Sequence, residues 1–167
     1  MFTVTTTIPA TATVSNATIN MNVQSNPLET NEFLRVYVEN AASATNFYSL
    51  ATHVPTWEYQ GTTSLYPGTA DTGVRWPTSG TFSGTGVLTS PSIASLIQYL
   101  LTTYGELTAG DEINVWVAGD ATWITSEVDE INVESVYSTG TLEAELAITW
   151  SIGGGTPFRP GWLPQTM

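Results

Sequence analysis

Short segments in which apolar and polar residues alternate restrict the fold of this chain more than any other feature. Successive side chains of a β-strand point to opposite faces, so such alternation predicts a strand with one face toward a core and the other toward water. Four segments show the pattern clearly: Ala17–Ser25, Glu32–Asn40, Glu112–Asp120 and Thr141–Trp150.

Weaker patterns predict five further strands, and turn residues such as Asn-Pro, Pro-Gly and Gly-Asp separate the segments. These weaker strands are predicted at Phe2–Thr7, Thr56–Gln60, Gly73–Trp76, Thr122–Thr125 and Ile131–Tyr137. About eight or nine short strands around one core indicate an all-β protein with two packed sheets, most simply a jelly-roll-like β-sandwich. We assign this domain to residues 1–152 and a Gly/Pro-rich C-terminal arm to residues 153–167.

One segment has the spacing of a helix instead. Ser90 is a predicted N-cap, Pro91 a predicted first helical residue, and Gly105 a predicted end, so the helix should cover about residues 91–104. We expect it to close one edge or end of the sandwich. Its apolar side chains recur three and four residues apart, as one helical stripe does: Ile93, Leu96, Ile97, Leu100, Leu101 and Tyr104.

Several of these motifs together carry a family likeness. They are, in order, "FLRVYVENAASATNF", "TGVRW", "SPSIASLIQYLL", "AGDEINVWVAG" and "ELAITW". This series resembles the jelly-roll domains of phage tail and other virion proteins and of bacterial extracellular proteins, over roughly residues 19–152. The resemblance implies a structural, adhesive or sugar-binding role, because such folds host all three.

The charge balance excludes nucleic acid as a direct ligand. The chain has 15 acidic residues and only three cations, Arg35, Arg75 and Arg159, for a net charge of −12. Such a surface cannot displace the counterions of a phosphate backbone.

The sequence has no cysteine, and its first residues lack the basic and apolar regions of a secretory signal or a membrane span. A surface-like composition without an export signal is expected of a virion component assembled inside its host.

The sequence offers little for catalysis, and we expect no enzyme. His53 is the single histidine, and no G-x-S-x-G elbow presents a serine to it. A hydrolase would have to use an acid pair such as Glu127 and Asp129. Zinc needs more His or Cys ligands, so calcium is the only metal we consider, with Asp120, Asp129 and Glu130 as its candidate oxygen ligands. The alternative is that these acids form a solvated charged edge.

The aromatic residues allow two interpretations. Trp116 lies out of phase with the apolar residues of its strand and should face away from them, which suits a contact with another subunit or with a covering loop. The alternative is a carbohydrate-binding or adhesin module, because Trp and Tyr rings stack on sugars. Its candidate ligand-binding residues are Trp57, Tyr59, Tyr66 and Trp123.

The two ends of the chain point to assembly. Gly153–Gly155 is a predicted hinge, and the segment after it cannot build a core of its own because prolines interrupt it. The N-terminal "FTVTTTIPATATV" has strand formers but little core patterning, so it too should extend or pair with another copy. We expect a non-enzymatic virion structural protein (capsid, decoration or tail component) that self-assembles through sandwich edges and terminal arms into a homo-oligomer and contacts other virion proteins. The predicted contacts of the C-terminal arm are Phe158, Arg159, Trp162 and Leu163.

Overall fold

The computed structural model describes residues 2–25, 33–43, 65–67, 73–80, 82–119, 132–133 and 144–153. Within these residues the chain is mostly β, with antiparallel sheets and one helix, as predicted. The helix α1 covers Ala94–Tyr104. The strands are β1 (Phe2–Thr3), β2 (Ala12–Ser25), β3 (Leu34–Glu39), β4 (Leu65–Tyr66), β5 (Val74–Trp76), β6 (Gly86–Thr89), β7 (Glu112–Ile113), β8 (Val115–Gly119), β9 (Asn132–Val133) and β10 (Glu145–Ile152).

Three antiparallel sheets are present in the described part of the chain. The first is centred on β2, which pairs with β10, with β6 and, near its C-terminal end, with β9. The second is centred on β3, which pairs with β8 along most of its length and with β5 and β4 toward its two ends. The third consists of β1 and β7 alone.

The two larger sheets and the helix share one hydrophobic core. The inward residues of β2, β3 and α1 all belong to it, and α1 packs against both β2 and β3. The helix therefore joins the two sheets, as expected for an element that closes a sandwich. The fully or almost fully buried residues of this core include Ala17, Ile19, Val23, Leu34, Val36, Val38, Leu96, Ile97, Leu100 and Leu101. No helix in the described ranges has the length and apolar character needed to cross a membrane.

The helix begins later than predicted, because the residues before it pair with β2. Ser90 is not an N-cap: its N–H donates to the Ile19 carbonyl at 2.8 Å, and its Oγ accepts from the Ile19 N–H at 2.9 Å. Ile93 then donates to the Ala17 carbonyl at 2.7 Å. Pro91 therefore lies in an extended segment along β2. The predicted end is confirmed, because Gly105 has φ 91° and donates to the Leu101 carbonyl.

The N-terminal segment is part of the domain, so the prediction that it extends toward another copy is wrong. β1 pairs with β7, Val4 exchanges backbone hydrogen bonds with Gly110 and Asp111, and Ile8 forms a bridge with Leu107. A β-bulge in β2 hides the alternation of apolar residues from a reading of the sequence. Asn16 and Val14 pair with consecutive residues of β10, so Ser15 between them is extra, and both Ser15 and Asn16 are exposed.

The segment Glu112–Asp120 does not form one regular strand. Asn114 interrupts it, so β7 pairs with β1 whereas β8 pairs with β3. Asn114 is 1% exposed: its side-chain Nδ2 donates to the Glu39 carboxylate, and its backbone carbonyl accepts from the Glu39 N–H. A buried amide needs hydrogen-bond partners. The position that gives Asn114 these partners interrupts the alternation of apolar and polar residues along the segment.

The weaker strand predictions have mixed outcomes. The strand at Val74–Trp76 matches its prediction. Longer strands were predicted at Phe2–Thr7 and Ile131–Tyr137, and among the described residues only Phe2–Thr3 and Asn132–Val133 of them are strands. The predictions at Thr56–Gln60 and Thr122–Thr125 lie outside the described residues. β4 and β6 are too short to leave an alternating signal, and the sequence did not indicate them.

Candidate functional site

The longest edge strand among the described residues is β10, with eight residues. It pairs with β2 on one side, and β2 is its only partner strand in the described part of the chain. The other edge strands described are five residues long or shorter. Long edge strands are the usual templates for pairing with another chain.

Hydrogen bonds of β2 show which backbone groups of β10 point outward. Ile19 and Ala17 direct their N–H and C=O groups toward residues 90–93, on the side away from β10. Their register partners are Leu146 and Ile148. In an antiparallel ladder such partners form a non-hydrogen-bonded pair, so Leu146 and Ile148 direct their N–H and C=O groups away from β2.

The same pattern continues at the C-terminal end of β10. The Gln98 side chain donates to the Ala12 carbonyl at 3.3 Å and accepts from the Val14 N–H at 2.9 Å, again on the side away from β10. Ile152 is the register partner of Ala12, so its N–H also points outward. The edge of β2 opposite β10 is thus occupied by β6 and residues 90–98. The outer edge of β10 has a row of backbone groups with which no described strand pairs.

The side chains of β10 do little to block this edge. Glu145 is its only charged residue, and the strand contains neither proline nor lysine, the residues that commonly protect sheet edges. The Glu145 carboxylate accepts from the Asn20 side chain at 3.3 Å and lies at one end of the strand. At the other end, Ile152 is 47% exposed. The edge therefore combines backbone donors and acceptors with exposed apolar surface.

The predicted arm begins where this edge ends. Gly153 directly follows β10, and the residues beyond it lie outside the described ranges. The predicted contacts of the arm therefore stay predictions: Phe158, Arg159, Trp162 and Leu163.

A second feature is the outer face of the β3 sheet, where Trp116 lies. Trp116 is the register partner of Tyr37, so both rings stand on the face opposite Val36 and Val38, as the phase of Trp116 predicted. The prediction that this side of β3 faces water is wrong at Tyr37, which is 1% exposed. The backbone at Gly73 covers its ring, and Trp116 itself is half-buried.

Two arginines lie side by side on this outer face. Arg35 of β3 and Arg75 of β5 are register partners, and their guanidinium carbons lie 5.2 and 3.8 Å from the centre of the Phe33 ring. The Arg35 Nη1 donates to the Gly73 carbonyl at 3.2 Å, and the Arg75 Nη2 donates to the Gly80 carbonyl at 3.0 Å. We call Phe33, Arg35 and Arg75 the arginine face. Sequence reasoning missed it, because the pairing of β3 with β5 decides which arginines meet.

Tyr66, one of the predicted sugar-binding residues, is half-buried and packs against the helix. Its ring stacks on Tyr99 of α1, with ring centres 3.4 Å apart and planes 1° apart. The Tyr99 hydroxyl donates to the Asn40 side chain at 3.0 Å, and the Tyr104 hydroxyl donates to the Asn40 carbonyl at 2.7 Å. One face of Tyr66 is therefore occupied by the helix. The other three residues predicted with it, Trp57, Tyr59 and Trp123, lie outside the described residues.

Metal binding has no support in the described part of the chain. Those residues contain no group of three or more His, Asp or Glu side chains arranged to hold a metal ion. The predicted calcium ligands Asp120, Asp129 and Glu130 lie outside the described ranges, so calcium binding stays a prediction.

No family model, no curated protein and no solved structure matches this chain.

Proposed function

We propose that this chain is a non-enzymatic structural protein of a virus particle, a capsid, decoration or tail component, that self-assembles through its sheet edges and C-terminal arm. The single observation that carries the proposal is the outer edge of β10, which pairs with no strand among the described residues. Its connectivity would be that of a jelly-roll-like β-sandwich, in line with the resemblance of its motifs to virion jelly-roll domains.

Physical chemistry favours strand addition at this edge. A strand from a second copy would satisfy the outward N–H and C=O groups of Leu146 and Ile148, at about 0.5–1.5 kcal/mol per hydrogen bond. It would also cover the exposed Ile152 side chain, worth about 1.5–3 kcal/mol for full burial. Addition of a strand to a sheet edge is a common way for one chain to bind another, with main-chain hydrogen bonds supplying the affinity.

The composition supports assembly into a particle and not binding to a genome. With a net charge of −12, the surface repels nucleic acid, and identical copies repel one another until specific contacts form. Such repulsion keeps the free protein soluble before assembly. We therefore place the protein on the surface or in the tail of the virion, with other virion proteins as its further partners.

Blocking the edge with proline should weaken assembly without disturbing the fold. The Ile152 N–H points away from β2, so Ile152→Pro removes an outward donor and leaves the ladder with β2 intact. We expect Ile152→Pro to raise the concentration needed for half-assembly at least about tenfold, equivalent to 1.4 kcal/mol. Sedimentation velocity of the full chain over a concentration series measures this shift.

The matched control is Ile152→Ala, which removes the apolar side chain but keeps the N–H. If proline acts through the backbone edge, Ile152→Ala should assemble more readily than Ile152→Pro, and both should melt within a few degrees of the unmodified chain. Equal assembly by all three proteins would contradict the proposal that β10 is the interface.

A chain truncated after Gly153 tests the arm separately, because it keeps the whole of β10.

A further inference from the structure

The outward residues of β10 are spaced so that the strand can pair with a second copy of itself. Leu146, Ile148 and Ile152 all direct their backbone groups away from β2. They lie an even number of residues apart, so the alternation along β10 is unbroken, and the extra residue of the β-bulge belongs to β2. Residue 149 is the midpoint between Leu146 and Ile152. The outer edge is therefore symmetric about Thr149.

We propose that β10 pairs with β10 of a second copy in antiparallel orientation, about a two-fold axis that passes through the Thr149 pair. This inference rests on the proposed self-assembly and names the partner strand, its direction and its register. Leu146 of each copy lies opposite Ile152 of the other, and these two residues exchange hydrogen bonds at both ends of the interface. The contact is isologous, because the same surface of each copy meets its equivalent.

The register follows from the positions of the outward residues. Moving the midpoint by one residue would put Ile152 opposite Ala144, or Leu146 opposite Gly154, and both of these partners lie outside β10. Moving it by half a residue would set an outward residue opposite one whose backbone groups point toward β2, so the two could not exchange hydrogen bonds. Only the midpoint at Thr149 matches the whole strand.

The apolar face of β10 favours the antiparallel direction. Leu146 and Ile148 are half-buried at the rim of the core, and Ile152 is 47% exposed. A two-fold axis normal to the sheet keeps the core faces of both copies on one side, so Ile152 of one copy covers Leu146 of the other. Parallel pairing of the same edge would turn one copy over and set these apolar side chains beside the polar outer face of the other copy.

The charge of β10 favours the same direction. Glu145 is its one charged residue and is exposed. In the antiparallel pair Glu145 of one copy lies opposite Gly153 of the other, so the two carboxylates are separated by about 27 Å along the strands. This exceeds the screening length of about 8 Å at physiological salt. Parallel pairing in register would place both carboxylates at the same end, in a chain whose net charge is already −12.

A two-fold contact of this kind closes on itself after two copies. Strand pairing along β10 therefore gives a dimer with one continuous sheet, and a larger particle requires a second, different contact. The proposed C-terminal arm supplies such a contact, because it leaves the interface after Gly153.

Single cysteines test the pairing, since the chain has none of its own. Thr149→Cys places two thiols at the two-fold axis, in a non-hydrogen-bonded pair with Cα atoms about 4.5 Å apart, within reach of a disulfide. Ala147→Cys is the matched control on the same face of the same strand, but its two Cα atoms would lie about 14 Å apart. Both variants are oxidised mildly as full chains, and non-reducing electrophoresis measures the linked dimer.

We expect Thr149→Cys to give at least about tenfold more linked dimer than Ala147→Cys, because Cα atoms more than about 7 Å apart cannot be bridged. Equal linking by the two variants, or more linking by Ala147→Cys, would overturn the proposed register.

A mixture of two variants tests the direction independently. Ala147 of one copy lies opposite Ser151 of the other, so Ala147→Cys mixed with Ser151→Cys should form a linked dimer that neither variant forms alone. Absence of that dimer from the mixture would overturn antiparallel pairing about Thr149.

The two proposals can fail separately. If the unmodified chain assembles in sedimentation velocity but Thr149→Cys does not link, only the pairing of β10 with itself is wrong. If the unmodified chain stays a single copy at every concentration, the proposed function and this inference are both wrong.

Discussion

Replacing Ile97 with alanine is expected to lower the free energy of unfolding by about 2–5 kcal/mol. Ile97 is 0% exposed and lies on the face of α1 that packs against both β2 and β3. Removing its side chain leaves a cavity where the two sheets and the helix meet, and the better helix propensity of alanine recovers only a fraction of the loss. Urea unfolding, followed by circular dichroism at one fixed protein concentration, measures the change.

Thr103→Ala is the matched control for this prediction, because Thr103 is an exposed residue of the same helix. Its effect should stay within about 0.5 kcal/mol. A loss below about 1 kcal/mol for Ile97→Ala, with an unchanged urea slope, would contradict the placement of α1 in the shared core.

Adding one methyl group at Gly73 should also destabilise the protein strongly. A Cβ at Gly73 would lie 2.6 Å from the Tyr37 Cζ and 2.8 Å from its Cε1, closer than carbon atoms can approach. Tyr37 is 1% exposed, so its ring is enclosed by the protein on nearly all sides. We expect Gly73→Ala to lower the free energy of unfolding by about 1–3 kcal/mol, as overpacking does.

Two further variants identify the cause. Gly153→Ala should have almost no effect, because nothing lies within 4 Å of a Cβ at Gly153. Tyr37→Leu removes the ring atoms that a Cβ at Gly73 would strike, so Gly73→Ala should cost less in the Tyr37→Leu background than in the unmodified chain. The same cost in both backgrounds would show that the Tyr37 ring is not what the methyl group meets.

Periodicity predicted the parts of the fold in which one face of an element is buried. The alternation of Ile19, Met21 and Val23 gives the C-terminal half of β2, and the stripe from Leu96 to Leu101 gives α1. These elements are regular enough for the period of 2.0 or 3.6 residues to survive over several residues. The mostly-β character of the described chain followed from them.

The departures arise where tertiary contacts override the period. Ser15 adds one residue to β2, so the inward phase shifts from Ala12 and Val14 to Ala17 and Ile19, and the alternation is broken within one strand. Ser90 satisfies the backbone of β2 instead of capping the helix. Both depend on partners at least 71 residues distant in the sequence, so a local pattern cannot reveal them.

The candidate site was less predictable than the fold. The sequence indicated assembly through sheet edges, but only the pairing partners of β2 show that β10 is the long edge with outward backbone groups. Likewise, Arg35 and Arg75 are 40 positions apart, and the register of β3 with β5 makes them neighbours. The phase of Trp116 was predicted correctly, since it depends on its own strand alone.

The size of the unmodified protein in solution tests the central claim most directly. Sedimentation velocity from low micromolar to high micromolar concentration should show a defined assembly that is an integral multiple of the single chain and grows with concentration by mass action. A single species with the mass of one chain throughout that range would contradict self-assembly through the β10 edge.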